Sequence, residues 1–329
     1  MELPSEDALR WIVRTYARLR AAHGGALGTP RLVQPTGEFF PDEFQLDAPS
    51  VERLLRRMLT YSPVADDLGI ELGFVEGVHD QGGGCGSSAC GSGGAGRGGA
   101  RPMVHELDDG YRVLVSTTDV ANPDVLTTAL ARAVGALVLH EGGNDVGEGE
   151  DEIAAIACGY GVLLAGGAAV WAKSCGGLRM AQATALPVDE ICVGLALFAG
   201  VHGVRASDAR AHLGATQREA FDAAAAWVES NPLLVEALRD HPETLAHGTF
   251  GIEPVRGLVG RWLHKRKMDR ELRAPLAAPP APVSEDRRRR LEEARALVDE
   301  VLGSNLAGGR DLAGGPDFAG RRDLGGSGE

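Results

Sequence analysis

His140 and Glu141 stand side by side near the end of an apolar run, and Asn144 follows at i+4 from the histidine. An imidazole beside a carboxylate begins the pattern by which a helix holds zinc. Two His at i and i+4 bring both rings to one ion, and a Glu next to the first activates the bound water. Asn144 is a poor zinc ligand, and Gly142-Gly143 intervene. Each glycine costs a helix about 1 kcal/mol relative to Ala, so the helix is expected to end there and His140 and Asn144 need not share a face. His140 is thus a candidate metal ligand and Glu141 a candidate catalytic residue, in an incomplete set.

The elements that would position them are well signalled. Asn122 can cap a helix, Pro123 suits its first position and Asp124 complements its dipole. Leu126, Leu130, Val134, Leu137 and Val138 then give a buried stripe. Before it, Ile70, Leu72 and Phe74 alternate as a strand, and Met103–Leu107 and Tyr111–Ser116 flank Asp108-Asp109-Gly110, a hairpin signal. After it, Glu148, Glu150, Asp151 and Glu152 precede a Gly- and Ala-rich apolar helix, IAAIACGYGVLLAGGAAVWA, expected at the centre of the core. The acids have a structural reason to be there, the positive end of the helix dipole.

The flanking chain supplies cover. Leu9, Ile12, Val13, Tyr16 and Leu19 mark a first helix that His23-Gly24-Gly25 should end, and a second begins at Pro49-Ser50. Between them, Arg31 to Gln34 read as a short strand and Phe39-Phe40, bracketed by prolines in PTGEFFP, as an anchor to the core. Further helices start at Pro187, near Ser207, at Gln217 and at Asn231-Pro232. Residues 81–100 hold almost nothing that can be buried and read as a flexible Gly/Cys loop; Cys85 and Cys90 within it lack a second pair at zinc-finger spacing. Residues 254–275 suggest a basic helix, 276–284 a Pro/Ala linker, 285–302 a charged helix whose apolar stripe wants a partner, and 303–329 a disordered tail, all after a single core over 1–250.

Composition removes several classes. With 33 basic against 46 acidic residues the net charge is −13, which disfavours nonspecific attraction to nucleic acid or anionic membrane, and no specific nucleic-acid partner is expected. No apolar run suits a membrane span, and five scattered cysteines do not suggest a disulfide framework, so a cytoplasmic protein is expected. No Gly-Lys-Ser/Thr phosphate loop occurs. A protein partner could be engaged through residues 254–302.

The order of PTGEFFP, a strand hairpin, the helix from Asn122-Pro123 and a second helix with acids at its start resembles uncharacterised bacterial proteins with a degenerate zincin-like, metallopeptidase-related core. The resemblance covers roughly residues 5 to 240 and implies an α+β fold, mostly helical, with a small antiparallel sheet or hairpin near residues 69–117. Two registers follow. In one, His140-Glu141 is the motif with its second His lost. In the other, the favoured one, Arg132, Ala133 and Ala136 occupy the His, Glu and His positions in mid-helix, and Arg132, Ala136 and His140 stack at i, i+4 and i+8 with only the last able to bind metal. The resemblance carries the acidic third ligand onto Glu152, or else Asp151. Three functions remain: a non-catalytic protein acting by binding; a zinc-dependent metallohydrolase using His140, Glu141 and Glu152, with another histidine such as His105 brought in by folding; and an interaction protein working through its basic helix and tail. Zinc is the one cofactor these residues bring into view.

Overall fold

The computed structural model describes residues 2–27, 30–65, 68–76, 103–144, 146–174 and 177–255, all within one compact unit spanning Met1–Leu263. The loop with Cys85 and Cys90 and the basic helix, linker, charged helix and tail expected after residue 255 lie outside the described residues. In chain order the elements are α1 (Glu6–Leu27), α2 (Ala48–Leu59), β1 (Gly69–Val75), β2 (Met103–Leu107), β3 (Gly110–Ser116), α3 (Pro123–Glu141), α4 (Glu150–Ala157), α5 (Gly161–Ala168), β4 (Val170–Ser174) and β5 (Gly177–Ala181). Five helices follow: α6 (Val188–His202), α7 (Ala206–Arg210), α8 (Ala215–Ser230), α9 (Pro232–Asp240) and α10 (Pro242–His247). The fold is α+β and mostly helical. Among the described residues no helix is long and apolar enough to cross a membrane.

Helix α3 is the axis of the core. The Asn122 side chain accepts hydrogen bonds from the amides of Asp124 and Val125, which fixes its start. Leu130, Val134 and Leu137 are fully buried, and α4 and α5 lie against the same helix. Gly135 permits that approach: a Cβ there would stand 1.9 Å from the Asp151 carbonyl oxygen and 2.8 Å from the Ala155 nitrogen. The buried residues Ile191, Leu195 and Phe198 of α6 and Ile12, Val13 and Tyr16 of α1 join the same apolar cluster.

Several expectations are corrected. Helix α1 continues past His23-Gly24-Gly25 to Leu27, because Leu27 is buried in the core and its burial offsets the glycine cost. The sheet is not wholly antiparallel: β2 and β3 form the hairpin around Asp108-Asp109, but β1 pairs with β3 in parallel, giving the order β1-β3-β2. The parallel pair arises because β2 runs antiparallel to β1 and β3 returns between the two, so that β3 is parallel to β1 and antiparallel to β2.

The expected single helix after Glu152 is broken twice. At Gly159 φ is +101°, and a Cβ would lie 2.0 Å from the Arg31 carbonyl oxygen, so the chain turns where only glycine fits. The Gly159 carbonyl accepts from the Val33 amide at 3.0 Å. Arg31 to Gln34 is therefore an extended segment tied to the helix break, not a ladder strand. After α5 the backbone opens at Ala169, and Val170-Trp171 pair with Ala181 and Met180 in the β4–β5 hairpin, as β-branched and aromatic residues favour.

Candidate functional site

One cation lies deep in the apolar α3. Arg132 is 1% exposed, and α4 delivers Asp151 and Glu152 to it from a first turn whose N-cap, Gly149, has φ +75° and offers no side-chain cap. The Arg132 Nε is 2.9 Å from Asp151 Oδ2 and 3.0 Å from Glu152 Oε1. Its Nη1 donates to the Ala183 carbonyl at 3.3 Å. The Ala185 amide donates to Glu152 Oε1 at 2.5 Å and the Leu186 amide to Oε2 at 2.9 Å. Within that turn the buried Thr184 hydroxyl donates to the Leu186 carbonyl at 2.7 Å. The centre thus binds α3, α4 and the 183–186 turn before α6 through charge-assisted hydrogen bonds.

The electrostatics are those of a closed structural knot. Two carboxyl groups face one guanidinium. Burial pushes the Glu152 carboxyl up to about 7; Arg132 and the Ala185 and Leu186 amides oppose that rise, and Asp151 adds to it. Both Glu152 oxygens are engaged by donors, so no lone pair pattern suited to a general base faces open space.

The residues singled out in the sequence lie elsewhere on α3. His140 is half-buried in its last turn, with its ring 5.8 Å from that of Tyr111 on β3. Glu141 is exposed and accepts from the Tyr111 hydroxyl at 2.9 Å. Burial, reinforced by Glu141, pushes that hydroxyl up to about 12, so it remains the donor. The helix ends at Gly142, and the Asn144 amide turns back to the Leu139 carbonyl, so Asn144 does not continue the helical face. His105 is on β2, opposite Arg112. Among the described residues no three of the His, Cys, Asp or Glu side chains gather as a group that could hold a metal ion, so His140, Glu141, Glu152 and His105 are not brought together as one.

Two partners were not legible in the spacing. The 183–186 turn reaches Arg132 and Glu152 only through the β4–β5 hairpin, and Tyr111 meets His140 and Glu141 only through the sheet. Arg132 itself carried a signal, a lone cation inside an apolar helical stripe followed by acids one connection later. The buried thiols of Cys158 and Cys192 offer no nucleophile: burial pushes each up to about 12. Comparison with known proteins finds no match to a family model, to a curated protein or to a solved structure.

Proposed function

We propose that the chain is a non-catalytic protein on a degenerate zincin-like scaffold, acting in the cytoplasm by binding. The observation that carries the reading is the contact between Arg132 and Glu152, 3.0 Å apart and both buried. These are the positions that the mid-helix register gives to the first histidine and the acidic third ligand. A guanidinium there supplies permanently the positive charge that an ion would otherwise bring, and the other two motif positions, Ala133 and Ala136, have no donor atoms.

Zinc does not fit this donor set. It is bound by thiolate, imidazole or carboxylate, and Glu152 is the only such group among the four register positions, with both oxygens already accepting hydrogen bonds. Metal analysis of the full chain, purified after growth in zinc-supplemented medium, tests the reading: zinc far below one per chain is expected, and one zinc per chain that is lost on His140→Ala or Glu152→Gln would overturn it in favour of the metallohydrolase.

A further inference from the structure

The PTGEFFP segment does more than anchor the chain. Phe39 is buried, edge-on to Tyr61 with centroids 5.4 Å apart, while its neighbour Phe40 is half-buried and lines a pocket of about 390 Å³. Leu54 of α2 and Leu126 and Thr127 of α3 complete much of the wall, and Phe44, 41% exposed, stands at it as well. An apolar cavity of about 150 Å³ accommodates a benzene ring, so this one has room for a body of about two rings or a medium-length acyl chain. None of these residues takes part in the Arg132 centre, and the inference goes beyond the reading above.

Polar groups on the wall decide what the ligand's head must be. Arg57 is spent on Asp42, with nitrogen and oxygen 3.1 Å apart. Arg53 has no such carboxylate partner among the described residues; its Nη2 donates to the buried Ser50 hydroxyl at 2.7 Å, which holds the guanidinium in place. Asp47 feels the Arg53 charge, but its carboxylate is committed to the Ser50 amide as the α2 N-cap. The remaining wall acid, Glu43, is exposed and has no recorded bond among the described residues to fix it. Thr36, also on the wall, has a buried hydroxyl without a hydrogen-bond partner among the described residues, a group whose desolvation an arriving ligand oxygen would compensate. Arg53 is therefore the positive charge held in place at the wall with no carboxylate paired to it among the described residues.

We propose that this pocket binds a small amphipathic carboxylate, its apolar body against Phe40, Leu54 and Leu126 and its head on Arg53, with the Thr36 hydroxyl available to a ligand oxygen. Titration calorimetry on the full chain tests this with three ten-carbon probes that carry different head groups: decanoate, decanol and decylammonium. Decanoate should bind one per chain and about tenfold more tightly than decanol, the worth of one charge-assisted hydrogen bond. The cation should bind more weakly than either. Arg53→Gln should erase the preference for decanoate while leaving decanol unchanged, and Thr127→Trp, which fills the pocket from α3, should remove binding of all three. Both positions are on the surface side of their helices, and an unchanged thermal midpoint certifies the fold. Absence of saturable decanoate binding, equal affinity for the three heads, or an unaltered preference in Arg53→Gln would each overturn the proposal.

Discussion

The Arg132 guanidinium nitrogen Nε stands 3.0 Å from Glu152 Oε1 and 2.9 Å from Asp151 Oδ2, in a part of the core where none of the three side chains is more than 3% exposed. Removing the cation leaves two carboxylates buried without their counter-charge. Arg132→Met should therefore cost about 3–5 kcal/mol of stability, whereas Arg132→Met combined with Glu152→Gln should cost less than the single change, because neutralising the orphaned carboxyl removes most of its desolvation penalty. Urea unfolding of the three proteins measures the difference.

Gly135 sets the distance across which that contact is made. Its hypothetical Cβ collides with the backbone of Asp151 and Ala155, neither of which can move as a side-chain tip can. Gly135→Ala should destabilise by about 3 kcal/mol, the upper end of overpacking, in spite of the gain in helix propensity. Denaturant unfolding checks the cost, and a Gly→Ala change that stabilises would show that α3 and α4 are not in backbone contact.

The half-buried His202 and the buried Glu152 make opposite contributions to pH dependence. His202 Nε2 lies 3.2 Å from Arg20 Nη1, and burial followed by the charges of Arg20 and Arg239 lowers the imidazole from 6.5 to about 4. The unfolded chain takes up that proton first, so the His202 contribution is present above 6.5 and lost as pH falls toward 4. Glu152 is raised from 4.5 to about 7, so the folded chain keeps its proton longer, and this contribution is present below 4.5 and lost as pH rises toward 7. His202→Gln should make stability fall more steeply with rising pH than in the wild type over 4.5 to 6.5, and Glu152→Gln should make it rise more steeply. Unfolding free energies at the two ends of that window give both slopes.

Local chemistry was the legible part of this chain. Asn122-Pro123 fixed the start of α3, Asp109-Gly110 marked the β2–β3 turn, and Gly142-Gly143 marked the end of α3, because each acts through bonds to its immediate neighbours. What depends on distant residues was not legible. The break at Gly159 is forced by the Arg31 carbonyl, 128 positions earlier, and nothing in the local Cys-Gly-Tyr-Gly run tells a helix interior from a turn. The parallel pairing of β1 with β3 depends on β3 inserting between β1 and β2, a strand order that alternation cannot reveal. At the centre, helical spacing put Arg132 in line with Ala136 and His140, but only the packing of α4 on Gly135 brings Asp151 and Glu152 to the guanidinium. Likewise the paired prolines around Phe39-Phe40 suggested an anchor, which describes Phe39; that Phe40 lines a pocket depends on where α2 and α3 pass.

We propose that the α3–α4 centre is a metal-site framework in which Arg132 and Ala136 stand where histidines would. Zinc binding to the Arg132→His/Ala136→His double variant of the full chain, followed by competition with a chromogenic chelator, tests it most directly. A folded double variant should gain one tightly held zinc per chain, and Glu152→Gln in that background should weaken it by at least tenfold, about 1.4 kcal/mol. A double variant that unfolds cooperatively yet binds no more zinc than the wild type would contradict the account.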